Sequence, residues 1–125
     1  MGEAGTCSRI IVVRVLVCGG RGYRDSKTAW SVLGSMDVEL VIHGGASGAD
    51  AIAGEWARFA GVPCLVFPAS WLFYGKRAGP VRNAWMLKYG RPDLVLAFPG
   101  GPGTENMIQQ AKAAGIPVRL GVAVS

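Results

Sequence analysis

The feature that most constrains this chain is a pattern that occurs three times: an apolar run, a glycine-rich turn, and then apolar residues at helical spacing. The glycine-rich turns lie at residues 19–25, 43–50 and 99–104. Strands that alternate with helices form a parallel sheet, with right-handed crossovers and helices on both faces. We therefore expect one α/β domain, for which 125 residues are sufficient.

The other elements follow from the same patterns. We predict five strands in the order 3-2-1-4-5, at residues 10–18, 39–42, 63–67, 94–98 and 116–120. Arg14 interrupts the first run, so the central part of that strand is expected to start at Val15. Residues 68–80 lack periodicity and are expected to be irregular, and a short helix is predicted over 81–89. The expected organisation is a poorly ordered N-terminus, the domain and a tail, at residues 1–9, 10–121 and 122–125.

The composition indicates which kinds of partner and which cellular compartment to expect. The formal net charge of +5 favours negatively charged partners, such as a phosphorylated ligand. Cys7, Cys18 and Cys64 lack metal-ligand spacing, and the last two lie in apolar runs, which indicates small core residues. An odd number of cysteines without a signal-peptide pattern favours the cytoplasm. No apolar run reaches membrane length, and no metal site is predicted.

The three turns are expected to lie together. In a parallel sheet, the turns that follow the strands share one edge, and ligands bind there at the point where the strand order reverses. With the order 3-2-1-4-5, the first and third turns flank this point and the second lies beside it. A glycine turn at a helix start offers N–H groups to a phosphate. We therefore predict a nucleotide or phosphosugar site in preference to the alternative, tight turns without a ligand, because packing alone explains their convergence poorly.

Two common nucleotide motifs do not fit the first turn. Residues 20–25 read GRGYRD, so the third glycine of the dinucleotide-binding pattern is missing. The segment 26–28 reads SKT and is similar to the end of a P-loop, but Ser26 stands where glycine is required. The sequence therefore predicts neither a normal NAD site nor a Walker ATPase.

Four motifs together resemble a known family. In chain order they are VCGGR at 17–21, HGGASGAD at 43–50, GKRAGPVRN at 75–83 and FPGGPGT at 98–104. This set resembles the SLOG superfamily of Rossmann-like proteins, in particular its YpsA-related branch. The resemblance covers nearly everything from Val13 to Val118. It implies a Rossmann-like sheet and the binding of a nucleotide or nucleotide-derived ligand.

The run at 100–104 is also similar to the GGxGTxxE motif of the lonely-guy phosphoribohydrolases, which cleave the base from a nucleoside 5′-monophosphate. There an arginine and the motif glutamate act at the ribose. Here Met107 takes the glutamate position, and Glu105 projects from nearly the opposite helix face, about 200° away. Asp50 is another carboxylate for this role, although capping of its own helix is expected. The candidate catalytic residues are Arg82, Asp50 and Glu105, and whether the chain is an enzyme stays open.

The second turn is similar to the glycine-rich turn of the DNA-processing protein of natural transformation, which binds single-stranded DNA. Bases would stack on aromatic side chains and phosphates would contact basic ones, namely Trp71, Phe73, Tyr74, Lys76, Arg77 and Arg82. The basic residues cluster at predicted loops and form no stripe along a groove, so nucleic-acid binding is the weaker alternative.

The predicted ligand-binding residues combine the glycine turns with neighbouring polar residues. They are Gly19, Gly20, Arg21, Gly22, Gly44, Gly45, Ser47, Gly48, Asp50, Lys76, Arg82, Asn83, Pro99, Gly100, Gly101, Gly103 and Thr104. Arg82 and Asn83 are expected at the start of a helix, where they would bind phosphate and read a base or ribose. His43, the only histidine, is expected to be a hydrogen-bonded structural residue. A homo-oligomer is predicted, because the relatives implied by the resemblance associate.

Overall fold

The computed structural model describes residues 12–122, which form a parallel five-stranded sheet in the order β3-β2-β1-β4-β5. The strands are β1 (Val12–Cys18), β2 (Asp37–His43), β3 (Cys64–Val66), β4 (Leu94–Ala97) and β5 (Val118–Leu120). The helices are α1 (Ser26–Gly34), α2 (Ala49–Ala60), α3 (Trp71–Tyr74), α4 (Ala78–Trp85) and α5 (Pro102–Ala113). The predicted fold class and strand order are therefore confirmed. The expected N-terminus at 1–9 and all but residue 122 of the expected tail lie outside the described residues.

The core has two layers because consecutive strand residues point to opposite faces of the sheet. Val15 and Val17 of β1 pack in the cluster that contains the buried face of α1 and α2. Leu16 and Cys18 pack on the other face, in the cluster with Met107 of α5. Helices thus cover both faces, and Met107, which takes the glutamate position of the motif, is fully buried.

Most of the segment expected to be irregular, from Trp71 to Pro80, is helical instead. After α3, a 3-10 turn (Gly75–Arg77) leads directly into α4, which begins three residues before the predicted helix. The buried face of α4 consists of Ala78, Gly79 and Asn83, so no apolar stripe marks it in the sequence. Pro80 fits because it stands at the third helical position, where no N–H is needed for the helix.

Arg14 does not interrupt β1, which begins at Val12. The β1–β2 register shifts between Val13 and Arg14. The Arg14 Nε atom donates to the Arg91 carbonyl (3.0 Å), and the Asp93 N–H donates to the Arg14 carbonyl (2.8 Å). These bonds hold the segment that follows the π-helical turn (Met86–Gly90) against the amino end of the sheet. The strand accommodates the arginine because its polar groups are used in these bonds.

Within residues 12–122, none of the helices has both the length and the hydropathy needed to cross a bilayer.

Candidate functional site

The three glycine turns contact one another at the carboxyl edge of the sheet. The Gly20 N–H donates to the Pro99 carbonyl (2.8 Å), which joins the first turn to the third. The Ala49 N–H, at the start of α2, donates to the Gly20 carbonyl (3.2 Å), which joins the first turn to the second. The predicted convergence is therefore present, with the first turn in the middle.

Glycine is required at these contacts because the backbones touch. A Cβ atom at Gly100 would lie 2.6 Å from the Gly20 nitrogen, and one at Gly48 would overlap the Gly20 carbonyl oxygen. Gly48 also has a φ of +76°, which side-chain-bearing residues rarely adopt. Much of the glycine content of the turns therefore serves turn-to-turn packing.

A cavity of about 320 Å³, named the main cavity below, opens between these turns, α4 and α5. Nine of the predicted ligand-binding residues line it: Gly19, Gly20, Arg21, Asp50, Arg82, Asn83, Gly101, Gly103 and Thr104. The other lining residues are outside the predicted set: Val17, Cys18, Ala46, Gly79, Met86 and Pro102. These are mostly small or apolar residues, and their residue types alone do not indicate a binding role. Their position in the cavity follows from where the strands end and where α4 lies.

A second cavity of about 270 Å³ adjoins the first at Arg21, Ala46 and Arg82, which line both. The predicted residues Gly44, Gly45 and Ser47 lie here. The two arginines therefore stand at the junction of the two spaces.

Arg82 lies within α4, not at the helix start as expected, because α4 begins at Ala78. Its guanidinium donates to the Gly44 carbonyl (2.9 Å) and to the Asn83 side-chain oxygen (3.0 Å). A Cβ atom at Gly44 would overlap this guanidinium. Burial lowers the pKa of Arg82, nearby Asp50 raises it, and Arg21 lowers it further. The group stays charged, since arginine does not lose its proton in proteins.

Asp50 does not cap its own helix, contrary to expectation, because Gly48 occupies the capping position. Its Oδ2 atom accepts from the N–H groups of Gly44 (3.0 Å) and Ala46 (3.2 Å), which lie upstream in the second turn. Burial raises the pKa of Asp50, while the bonds to these amides and the proximity of His43 and Arg82 lower it. The carboxylate therefore stabilises the second turn through these two hydrogen bonds and also lines the cavity.

His43 is hydrogen-bonded within the same turn. Its Nδ1 atom accepts from the Gly45 N–H (2.9 Å), which places the proton of the neutral ring on Nε2. Burial lowers the pKa of His43, Asp50 raises it, and Arg82 lowers it. The expectation of a structural histidine agrees with these contacts.

The backbone amides at the turns are not equally available to a ligand. Those of Gly44, Gly45 and Ala46 donate to Asp50 and His43. By contrast, α5 starts at Pro102, and its first intrahelical bond is donated by Glu105 to Gly101 (3.0 Å). The amides of Gly103 and Thr104 precede that bond, so they have no partner within the helix. The third turn therefore offers N–H groups to a ligand, whereas those of Gly44, Gly45 and Ala46 are already bonded.

Several predicted residues lie away from the main cavity. Pro99, Gly100 and Glu105 line a separate hollow of about 220 Å³ beside β5, which Thr104 also borders. Gly22 and Lys76 are exposed and line neither of the cavities that contain Arg82. Glu105 thus lines this hollow and not the cavity in which its carboxylate was considered to act.

Two of the aromatic residues proposed for base stacking, Phe73 and Tyr74, lie in a group of aromatic side chains with Trp85. Phe73 is 79% exposed and contacts the Tyr74 ring edge-on, with 4.7 Å between ring centroids. Tyr74 in turn meets Trp85 edge-on at 5.9 Å. The Trp71 side chain is outside the described part of the chain. Neither Phe73 nor Tyr74 lines the two cavities that contain Arg82, and the nucleic-acid alternative stays a prediction.

Comparison with known proteins gives two close matches. A family model described as YAcAr, the YspA, cpYpsA-related SLOG family, matches residues 13–74. The Gene 61 protein of Mycobacterium phage D29 is 42% identical to this chain over 117 residues, covering 84% of this chain and 93% of the phage protein.

The similarity to solved structures is distant. A phosphoribosylglycinamide formyltransferase from Brucella melitensis shares 17% identity at a TM-score of 0.45, covering 85% of this chain and 68% of the transferase. A UDP-N-acetylmuramate–alanine ligase from Thermotoga maritima shares 16% identity at a TM-score of 0.41. That match covers 87% of this chain, which spans about a fifth of the ligase (21%). Neither likeness bears on function.

Proposed function

Because this chain belongs to the YspA, cpYpsA-related SLOG family, we propose that it binds a nucleotide or nucleotide-derived phosphorylated ligand in the main cavity. The observation that carries the proposal is the meeting of Arg21, Arg82 and the first turn of α5 around one space. All three favour an anion, and the cavity lies where the strand order reverses, between β1 and β4.

The phosphate group is assigned to the first turn of α5. The amides of Gly103 and Thr104 and the positive end of the helix dipole stabilise negative charge there. Arg82 adds a guanidinium that is already oriented by its bond to the Gly44 carbonyl. A charge-assisted hydrogen bond from an oriented donor is stronger than one from a mobile side chain, because less freedom is lost on binding.

The remainder of the ligand would occupy the apolar side of the cavity. Val17, Cys18 and Met86 line the space there, and a volume of about 320 Å³ is within the usual range for small-molecule sites. The predicted ligand is therefore a phosphorylated molecule with a flat or apolar part, as in a nucleotide.

The test compares the four common ribonucleoside 5′-monophosphates with their nucleosides by isothermal titration calorimetry. We expect at least one monophosphate to bind, and about tenfold or more tighter than its nucleoside, since the phosphate makes the charge-assisted bonds. Arg82→Gln should remove most of that difference. Lys112→Gln removes the same charge from the exposed last turn of α5 and should leave the difference intact. Equal binding of both ligand classes, or binding of neither, would contradict the proposal.

A second candidate is hydrolysis of the bond between base and ribose in such a monophosphate. It is favoured by one observation, the Asp50 carboxylate that lines the cavity beside Arg82, because a carboxylate stabilises an oxocarbenium-like transition state. We expect the chain to release free base from one of the four monophosphates. Asp50→Asn keeps an acceptor for Gly44 and Ala46 and should abolish release while binding persists.

Glu105→Gln is the matched control for the hydrolysis test. Glu105 lines the separate hollow beside β5 and not the main cavity, so its replacement should leave release unchanged. Chromatography of the reaction mixture detects the free base. If no monophosphate yields free base, hydrolysis is excluded for these substrates and ligand binding alone remains.

A further inference from the structure

A chain of side-chain hydrogen bonds links α4 to α5 beside the cavity. Arg82 Nε donates to Asn83 Oδ1 (3.0 Å), and Asn83 Nδ2 donates to Asn106 Oδ1 (3.1 Å) and to the Gly103 carbonyl (3.2 Å). Gln110 Nε2 donates to the same Asn106 oxygen (2.6 Å) and to the Pro80 carbonyl (3.1 Å).

In this hydrogen-bond network, the groups at the two ends determine which atom donates and which accepts in every bond. Arg82 can only donate, so the Asn83 oxygen must face it. The Gly103 carbonyl can only accept, so the Asn83 amino group must face α5. Asn106 must then present its oxygen to Asn83. A flipped amide at either residue would leave donor against donor or acceptor against acceptor.

Asn83 has no donor left for a ligand. The residue is 3% exposed, and its two amino hydrogens are donated to the Gly103 carbonyl and the Asn106 side-chain oxygen. Its contacts instead connect the Arg82 guanidinium with the first turn of α5. These are the two groups to which the phosphate is assigned.

We infer that Asn83 and Asn106 are positioning residues, which with Gln110 hold Arg82 and the first turn of α5 in one arrangement suited to an anion. The inference rests on the proposed function, since the anion is the phosphate of the proposed ligand. Holding both groups before binding reduces the freedom that binding must remove, which strengthens affinity without any contact to the ligand. Asn106 and Gln110 are thus part of the site although neither lines the cavity.

The probe for this inference is inorganic phosphate, which reports on the anion position alone. Its binding is followed by the NMR shifts of the Gly103 and Thr104 amides. Asn106→Leu keeps the side-chain size but removes the shared acceptor, and we expect it to weaken phosphate binding about tenfold. Gln109→Leu makes a comparable polar-to-apolar change at the exposed neighbouring position and should have little effect.

A rescue variant separates positioning from a general structural role. Asn106→Asp retains an oxygen acceptor for both Asn83 and Gln110, so it should bind phosphate more tightly than Asn106→Leu. The charge it adds also repels the anion, so the two variants are compared at high ionic strength, where this repulsion is screened. If Asn106→Asp then binds phosphate no more tightly than Asn106→Leu, the acceptor is not what matters and the inference is overturned.

Hydrogen exchange separates failure of the inference from failure of the proposed function. Asn106→Leu should speed exchange of the Glu105 amide, which bonds to Gly101 in the first turn of α5, more than exchange in β1 and β4. If phosphate does not bind the parent chain but this local effect appears, the proposed function fails and the positioning of the two groups stands. If exchange at Glu105 is unchanged, the amide chain does not hold the turn and the inference fails.

Discussion

At the residue scale, His43 ties the second turn to the protein interior through one ring nitrogen. The Gly45 N–H donates to Nδ1, and a Cβ atom added to Gly54 would lie 3.0 Å from Nε2. Protonation would place a hydrogen on Nδ1 and break the bond to Gly45. The ring is therefore held neutral by its partner as well as by burial, in agreement with its lowered pKa.

This lowered pKa predicts a pH dependence of stability. The folded state binds a proton at His43 less readily than the unfolded state, whose histidine pKa is about 6.5. The contribution of the neutral His43 ring to the free energy of unfolding is therefore fully present above that pKa, and it decreases as the pH falls through that value. The slope for one proton is at most about 1.4 kcal/mol per pH unit. Urea unfolding at several values between pH 7 and pH 5 should show this loss.

His43→Asn is the matching control, because the Asn oxygen can accept from Gly45 but does not titrate in this range. His43 is the only histidine of the chain, so the variant should flatten most of the dependence. Asp50 acts in the opposite direction, since its raised pKa favours the protonated folded state as the pH falls further. A dependence that persists unchanged in His43→Asn would show that another group is responsible.

At the scale of elements, a position can require glycine for two separate reasons, a positive φ or a close approach of another backbone. Gly48 has both, whereas Gly61, at the end of α2, has a φ of +73° and open space where a Cβ atom would stand. Alanine at these two positions therefore tests different quantities.

We expect Gly61→Ala to lower the free energy of unfolding by about 1 kcal/mol, the cost of a left-handed alanine. Gly48→Ala should cost at least about 2 kcal/mol more, because its Cβ would also overlap the Gly20 carbonyl and displace the first turn. Chemical denaturation of both variants gives the difference. Equal losses would mean that the second turn can shift away from the first without cost.

At the scale of the whole molecule, the site is assembled from two halves of the chain. The family model ends at residue 74, so it contains the first two turns but neither Arg82 nor the first turn of α5. The sheet order brings these halves together, because β1 pairs with β2 on one side and with β4 on the other. The predicted homo-oligomer is not needed to bring these groups together and stays a prediction.

The sequence predicted the sheet well because apolar runs and glycine turns are local signals. It predicted the convergence of the turns because parallel strands end at one edge. It failed for residues 71–80, which are helical although the buried face of α4 is made of small and polar residues. It also failed for Asp50, whose partners lie upstream in the turn. The roles of Asn83 and Asn106 depend on contacts between α4 and α5 that no spacing in the sequence encodes.

The bonds of Arg14 lie at the amino end of the sheet, far along β1 from the turns that line the cavity. The proposed ligand contacts and the contacts that hold the sheet together therefore depend on opposite ends of one strand. We expect substitutions at the carboxyl edge to change ligand preference while the Arg14 contacts, and with them the fold, persist.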